Sequence, residues 1–220
     1  MKTSNKSSIL HRIIILSMLS VNFFLVQGQI IADHTVVDKY DAIPQHYIDE
    51  VKKMWLVVAG ESHSYAYITG LRSLGLMNPK YAVSVLLESG VPESYTSSHL
   101  RASRATWGDL AHSSGWIYSY GEEDWITSTT AINRTKDGIK YCYDNNIPIA
   151  AIGFGWCWDD EVGLDVNDYF TATQEYVDYC NENDYPTTVY YTTGPIDYDT
   201  PMYLYDLHVR NEAIRDYIDN

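Results

Sequence analysis

The stretch that decides the fold is Trp55-Leu-Val-Val-Ala-Gly-Glu-Ser-His63. Its five leading apolar residues show no polar alternation, which predicts a strand buried on both faces, as in a parallel sheet. The helical spacing of Tyr67, Leu71 and Leu74 predicts a helix that begins near Ser62. A strand, a tight turn and a helix start place a serine hydroxyl at the carboxyl edge of the sheet, where the helix N-terminus favours negative charge.

The same alternation of strand and helix continues downstream. Apolar runs predict three further strands, at residues 81–87, 148–153 and 187–192, with helical patterns after each of the last two. Four strands alternating with helices predict an α/β fold, specifically a three-layer α/β/α sandwich with a mostly parallel sheet. Residues 93–125 show no regular period, and they are interpreted as a long aromatic-rich insertion.

The N-terminal segment has the pattern of a secretory signal peptide. Basic residues precede an apolar run at 13–26, and small or β-branched residues stand before Gln29. The run is shorter than the roughly 20 residues of a membrane-spanning helix, so a signal peptide over residues 1–28 is favoured over a membrane anchor. This predicts a secreted or periplasmic protein whose single domain covers residues 29–220. Because the chain stops just after the last helical pattern, the sequence leaves open whether an edge strand and a final helix are missing at the C-terminus.

Net charge and cysteine content limit the classes of binding partner and the disulfide or metal sites that the chain can have. The net charge of −14 disfavours nucleic acid and anionic lipid, and it fits neutral substrates better. Three cysteines are an odd number for an exported protein, so at least one thiol is unpaired within the chain. Cys142 and Cys180 stand in helical patterns, which is typical of small core residues. No cysteine spacing or acidic spacing matches a metal site, so no metal and no cofactor are predicted.

The segment Gly60-Glu-Ser62 after a buried strand resembles the first block of the SGNH/GDSL hydrolases. These are three-layer α/β esterases and lipases with a flavodoxin-like layout, and many act on acylated carbohydrates. Their block is Gly-Asp-Ser with the serine as nucleophile; here Glu61 replaces the aspartate. Their second block supplies an oxyanion-hole glycine after the second strand, and Gly90 matches its place. The resemblance therefore implies Ser62 as nucleophile, with the N–H groups of Ser62 and Gly90 around the oxyanion.

The other two blocks of that family are not matched. The third, Gly-x-Asn-Asp after the third strand, would fall at Gly153-Phe-Gly-Trp156, which has no asparagine. The fourth, Asp-x-x-His, is replaced by Asp206-Leu-His208, whose two side chains would diverge by about 200° on a helix. The base that serves Ser62 is therefore left open between His99, His112, His208 and a residue beyond the chain end.

Two readings of the function follow. The first is a secreted serine ester hydrolase acting on a carbohydrate-derived or other neutral ester, with a small-molecule or glycan substrate, no nucleic-acid partner and no membrane anchor after signal cleavage. The alternative is a non-catalytic glycan-binding or structural SGNH-like domain, in which Ser62 is only a helix cap. Aromatic faces stack on sugar rings, so four tryptophans are predicted to bind substrate, although sealing the core is the alternative for each. They are Trp107, Trp116, Trp156 and Trp158.

Overall fold

The computed structural model divides the chain into two units, Met1–Thr35 and Val36–Asn220, and the account below concerns the second. It describes residues 32, 35–60, 62–86, 90–109, 114–117, 124–155, 165–194 and 201–219, of which residues 37, 62, 63, 124 and 201–206 are described by their backbone alone. The predicted signal peptide, residues 1–28, lies outside the described residues.

Seven strands and six α-helices lie in the described residues. The strands are β1 (Trp55–Ala59), β2 (Val83–Val85), β3 (Leu100–Ser103), β4 (Thr106–Asp109), β5 (Gly115–Ile117), β6 (Ala151–Phe154) and β7 (Thr188–Val189). The helices are α1 (Gln45–Val51), α2 (Ser62–Met77), α3 (Asp124–Thr127), α4 (Thr129–Asp144), α5 (Val166–Glu182) and α6 (Pro201–Asp219). Two 3₁₀ helices, Val37–Ala42 and Pro79–Tyr81, complete the set.

Five of the strands form one parallel sheet in the order β2-β3-β1-β6-β7. The strand predicted to organise the fold, β1, is its central strand. In the register, Val57 stands beside Ser103 of β3 and beside Ile152 of β6. A parallel sheet with interspersed helices confirms the predicted α/β class.

Helices pack on both faces of β1, as its unbroken apolar sequence requires. Leu56 and Val58 contact the face covered by α2, where Ile68 is buried against them. The alternate residues Trp55, Val57 and Ala59 point the other way, into a core shared with α4 and α5. The core residues of those two helices include Ile139, Cys142, Tyr169, Tyr176 and Cys180.

The expectation of an irregular insertion over residues 93–125 is wrong for its described part. Strand β3 lies inside the main sheet between β2 and β1, and β4 and β5 form an antiparallel hairpin. The pattern missed β3 because two of its four residues, Arg101 and Ser103, are polar and yet buried. Most of their polar atoms have internal partners: Trp55 Nε1 donates to Ser103 Oγ over 2.8 Å, and the two terminal nitrogens of Arg101 donate to the Lys53 and Glu93 carbonyls, whereas Arg101 Nε has no hydrogen-bond partner.

Helix boundaries follow local signals closely. Ser128 caps α4 by accepting a hydrogen bond from the Ala131 N–H. Asp165 caps α5 by accepting a hydrogen bond from the Asn167 N–H. Within the described ranges, none of the helices combines the length and the apolar character that crossing a membrane would require.

Candidate functional site at the carboxyl edge of the sheet

The junction of β1 and α2 lies at the centre of the sheet's carboxyl edge. Gly60 takes a φ of +126°, a backbone conformation open to glycine but strained for other residues, and this turns the chain sharply. Ser62 is then the first residue of a 16-residue helix. The unpaired N–H groups of that helix start give this spot a positive potential for an anion or a developing oxyanion.

The chain leaves this edge in opposite directions on either side of β1. After β1, helix α2 returns over one face to the β2 side of the sheet, whereas after β6, helix α5 returns over the other face to β7. Such a reversal opens a crevice between the carboxyl ends of the two strands, and open α/β sheets bind ligands there. Ser62 starts the helix at one side of this crevice.

The end of β6 packs closely against the start of α2. The Gly155 N–H donates to the Ala59 carbonyl over 2.7 Å, continuing the β1–β6 pairing. A Cβ on Gly155 would lie 3.1 Å from the Cα and N atoms of the buried Ser64. Because Gly155 has no side chain, the first turn of α2 can press against β6, and the helix N-terminus is held in a fixed position.

Tyr190, just after β7, packs against β6 and is hydrogen-bonded to β1 near the same edge of the sheet. Its ring lies over Gly153, and its hydroxyl donates to the Val57 carbonyl over 3.0 Å. Burial, followed by the nearby Tyr169 and Tyr67, raises the pKa of Tyr190 above its usual value. The phenol therefore stays protonated and serves as a hydrogen-bond donor to β1.

Gly90, the predicted oxyanion-hole glycine, is exposed and has a left-handed φ of +80°. Its carbonyl accepts a hydrogen bond of 2.9 Å from Trp116 Nε1, which fixes this part of the loop. Strand β2 is the edge strand, so Gly90 follows a strand that β3 separates from β1. Its role beside Ser62 stays a prediction.

The structure places two of the four predicted tryptophans in the core. Trp107 and Trp116 expose only 7% and 3% of their surface and pack edge to face with ring centroids 5.3 Å apart. Trp107 also lies directly over Gly115, where a Cβ would meet the ring at 2.4 Å. These contacts are those of core residues. Trp156 and Trp158 lie outside the described residues.

The candidate bases lie in three different settings. His99 immediately precedes β3 and therefore lies at the amino edge of the sheet, roughly 20 Å along the strands from the β1–α2 junction. Its ring is bound by Glu93, so His99 does not serve Ser62. His208 is exposed on α6, which confirms the helical setting of Asp206-Leu-His208. His112 lies outside the described residues.

An open groove of about 850 Å³ runs along the outer face of α5. Phe170 and Tyr217 stack at its α6 side with centroids 4.1 Å apart and planes 7° from parallel. Amide and carboxylate groups line the rest, chiefly Asn167, Gln174, Glu175 and Asp178. Sequence reasoning missed this groove, since its lining comes from separate helices whose exposed faces carry no motif.

Cys142 and Cys180 are free thiols buried in the core, as predicted. Burial raises the pKa of Cys142 to about 12 and that of Cys180 to about 11, so both are unreactive at neutral pH. Cys157 lies outside the described residues. In the part of the chain that the structure describes, no group of three or more His, Cys, Asp or Glu side chains could hold a metal ion.

Comparison with known proteins yields no relative for this chain. No protein-family model matches it, and neither the curated proteins nor the solved structures give a significant match.

Proposed function

We propose that this chain is a secreted or periplasmic serine ester hydrolase that acts at the β1–α2 junction on a neutral, carbohydrate-derived ester. The observation that carries the proposal is the position of Ser62: it starts a long helix at the crevice where the chain direction reverses. A helix N-terminus at such a crevice suits a reaction that develops negative charge on a carbonyl oxygen. The predicted signal peptide supports the setting, and the net charge of −14 supports a neutral substrate.

The chemistry would follow the general course of serine hydrolases. The Ser62 oxygen attacks the ester carbonyl while a base removes its proton, and the alcohol leaves with a proton returned by that base. The N–H groups of Ser62 and Gly90 would stabilise the oxyanion, each contributing about 3–4 kcal/mol to transition-state binding. Among the histidines considered, His112 and His208 remain as bases, since His99 lies at the opposite edge of the sheet.

The test compares esterase activity of the chain with that of Ser62→Ala on p-nitrophenyl acetate and on acetylated glycans. The expected result is a loss of about 1000-fold or more in kcat, because the nucleophile is removed. Ser73→Ala is the matched control, since Ser73 is an exposed serine of the same helix. Equal rates for Ser62→Ala and Ser73→Ala would refute Ser62 as the nucleophile.

A second candidate function, glycan binding without catalysis, is favoured by the groove along α5. Stacked aromatic rings beside amide and carboxylate groups are well suited to the apolar faces and hydroxyls of a sugar chain. Titration with neutral oligosaccharides by calorimetry would detect such binding. Tyr217→Ala should weaken it about tenfold or more, whereas Tyr47→Ala, which removes an exposed tyrosine outside the groove, should leave it unchanged. No heat of binding across the oligosaccharides would remove this candidate.

A further inference from the structure

Three side chains in the segment between β2 and β3 form an unbroken hydrogen-bonded chain. The Ser98 hydroxyl lies 2.8 Å from His99 Nδ1, and His99 Nε2 lies 2.9 Å from Glu93 Oε2. Nucleophile, base and orienting carboxylate within such distances are the arrangement by which a serine is activated. None of the three residues belongs to the β1–α2 junction. The Ser98–His99 pair lies at the opposite, amino edge of the sheet, just before β3.

The directions of these hydrogen bonds follow if Glu93 is ionised and the His99 ring is neutral. An ionised Glu93 can only accept, so His99 Nε2 carries the proton, and the neutral ring then accepts at Nδ1. The Ser98 hydroxyl must therefore donate to Nδ1. The Thr96 hydroxyl, 2.8 Å from Ser98 Oγ, donates to Ser98 in turn and itself accepts from the Ser98 N–H. A serine that donates to a neutral imidazole is poised to lose its proton when it attacks.

The segment is anchored by a buried cation beneath it. Arg101 is only 2% exposed, and it donates to the Glu93 carbonyl over 3.3 Å and to the Lys53 carbonyl over 3.2 Å. Its guanidinium also lies over the Trp55 ring at 5.9 Å. Near the other end, Trp116 holds the Gly90 carbonyl. Such fixed ends hold the three side chains in place without a bound substrate, which is the preorganisation that catalysis needs.

We propose that Ser98 is a second nucleophile of this protein, with His99 as its general base and Glu93 as the residue that orients the imidazole. Ser98 Oγ forms a bond to the carbonyl carbon of an ester while its proton passes to His99 Nδ1. The carbon–oxygen bond to the alcohol then breaks, and the alcohol leaves with that proton. Water attacks the acyl-Ser98 by the same route, giving the carboxylic acid and the free serine.

The surroundings of Ser98 define the class of substrate. Ser98 and its neighbour Tyr95 are exposed, so the site opens directly onto the surface. An open site of this kind suits short acyl esters, including acyl groups carried on a large neutral polymer, rather than long acyl chains that need an enclosing tunnel.

Labelling with a fluorophosphonate tests the proposal and separates it from the role of Ser62. The probe transfers its phosphonyl group to an activated serine and releases fluoride. Trypsin then places Ser62 in the peptide of residues 54–72 and Ser98 in that of residues 81–101, and fragmentation by mass spectrometry locates the modified serine. Modification at Ser98 is expected. Modification at Ser62 alone, or at neither serine, would overturn the proposal.

Variants give an independent reading with p-nitrophenyl acetate. Ser98→Ala, in a Ser62→Ala background, should lower kcat/KM about 100-fold, in keeping with the loss of a base-assisted nucleophile. Glu93→Gln should lower it less, because it removes only the orienting charge. Ser97→Ala is the matched control, an exposed serine beside Ser98. If Ser98→Ala and Ser97→Ala hydrolyse the ester equally, the proposal fails, whatever Ser62→Ala shows.

Discussion

Two glycines show how differently the same substitution acts at two positions. A Cβ on Gly153 would lie 2.2 Å from the Tyr190 ring, whereas a Cβ on Gly70 in α2 has nothing within 4 Å. Gly153→Ala should therefore lower the free energy of unfolding by about 1–3 kcal/mol through overpacking. Gly70→Ala should raise it by about 0.4–1 kcal/mol, because alanine favours the helix and restricts the unfolded chain. Urea denaturation of both variants measures the two effects.

The cause of the Gly153 effect can be isolated with a second change. Tyr190→Ala removes the ring that occupies the space above Gly153, so Gly153→Ala should cost much less in that background. If Gly153→Ala costs the same with and without the ring, the close packing of Tyr190 on Gly153 is not the reason for the loss.

A site residue could be predicted from the sequence only where the elements that position it are adjacent along the chain. Ser62 could be placed at a helix start because a buried strand, a glycine and a helical pattern follow one another in sequence. The pairing of His99 with Glu93 and Ser98 could have been suspected from their closeness in sequence, but it depends on how the loop is turned by Arg101. Sequence spacing carries no signal for that turn.

At the scale of elements, one buried polar side chain ties α6 to the residues that follow β7. Asn211 is 3% exposed, and its amide both donates to the Gly194 carbonyl and accepts from the Gly194 N–H, each over 3.0 Å. Asn211→Ala removes both bonds and leaves two backbone groups without them, so the free energy of unfolding should fall by about 2–4 kcal/mol.

Urea denaturation measures this loss, and Asn133→Ala provides the control, since Asn133 is an exposed asparagine of α4. Its replacement should change the free energy of unfolding by less than about 0.5 kcal/mol. Similar values for the two variants would mean that the Asn211 amide does not hold α6 in place.

The elements that sequence could predict are those whose burial agrees with their polarity. Strands β1 and β6 are apolar runs, and α4 has a clear apolar stripe behind a serine cap. Strand β3 is equally buried but carries Arg101 and Ser103, whose partners come from Lys53, Glu93, Trp55 and Ala105. The sequence pattern of β3 does not indicate these hydrogen-bond partners. The strand order at this side of the sheet therefore could not be predicted.

At the scale of the whole molecule, buried thiols and phenols make the free energy of unfolding sensitive to pH in the alkaline range. Burial raises the pKa of Cys142 to about 12 and that of Cys180 to about 11, and it also raises those of Tyr176 and Tyr190. Above pH 9 the unfolded chain releases protons that the folded chain retains, so the free energy of unfolding should fall as pH rises. Between its unfolded and folded pKa values, each such group lowers the free energy of unfolding by about 1.4 kcal/mol per pH unit.

Urea denaturation at pH 8, 9 and 10 gives this slope. Cys142→Ala should show a shallower fall than the parent chain, since one buried ionisable group is removed and no charge is added. A free energy of unfolding that stays constant from pH 8 to pH 10 would contradict the expectation.

The position of β3 sets the order in which one half of the sheet can assemble. Strands β1 and β2 appear first on the growing chain, joined by α2, yet they never pair with each other, because the place between them belongs to residues 100–103. Until those residues have left the ribosome, two apolar strands present open hydrogen-bonding edges facing the same gap. A second nascent chain could insert its own strand into that gap. The four residues of β3 therefore complete the sheet and also block this intermolecular strand pairing.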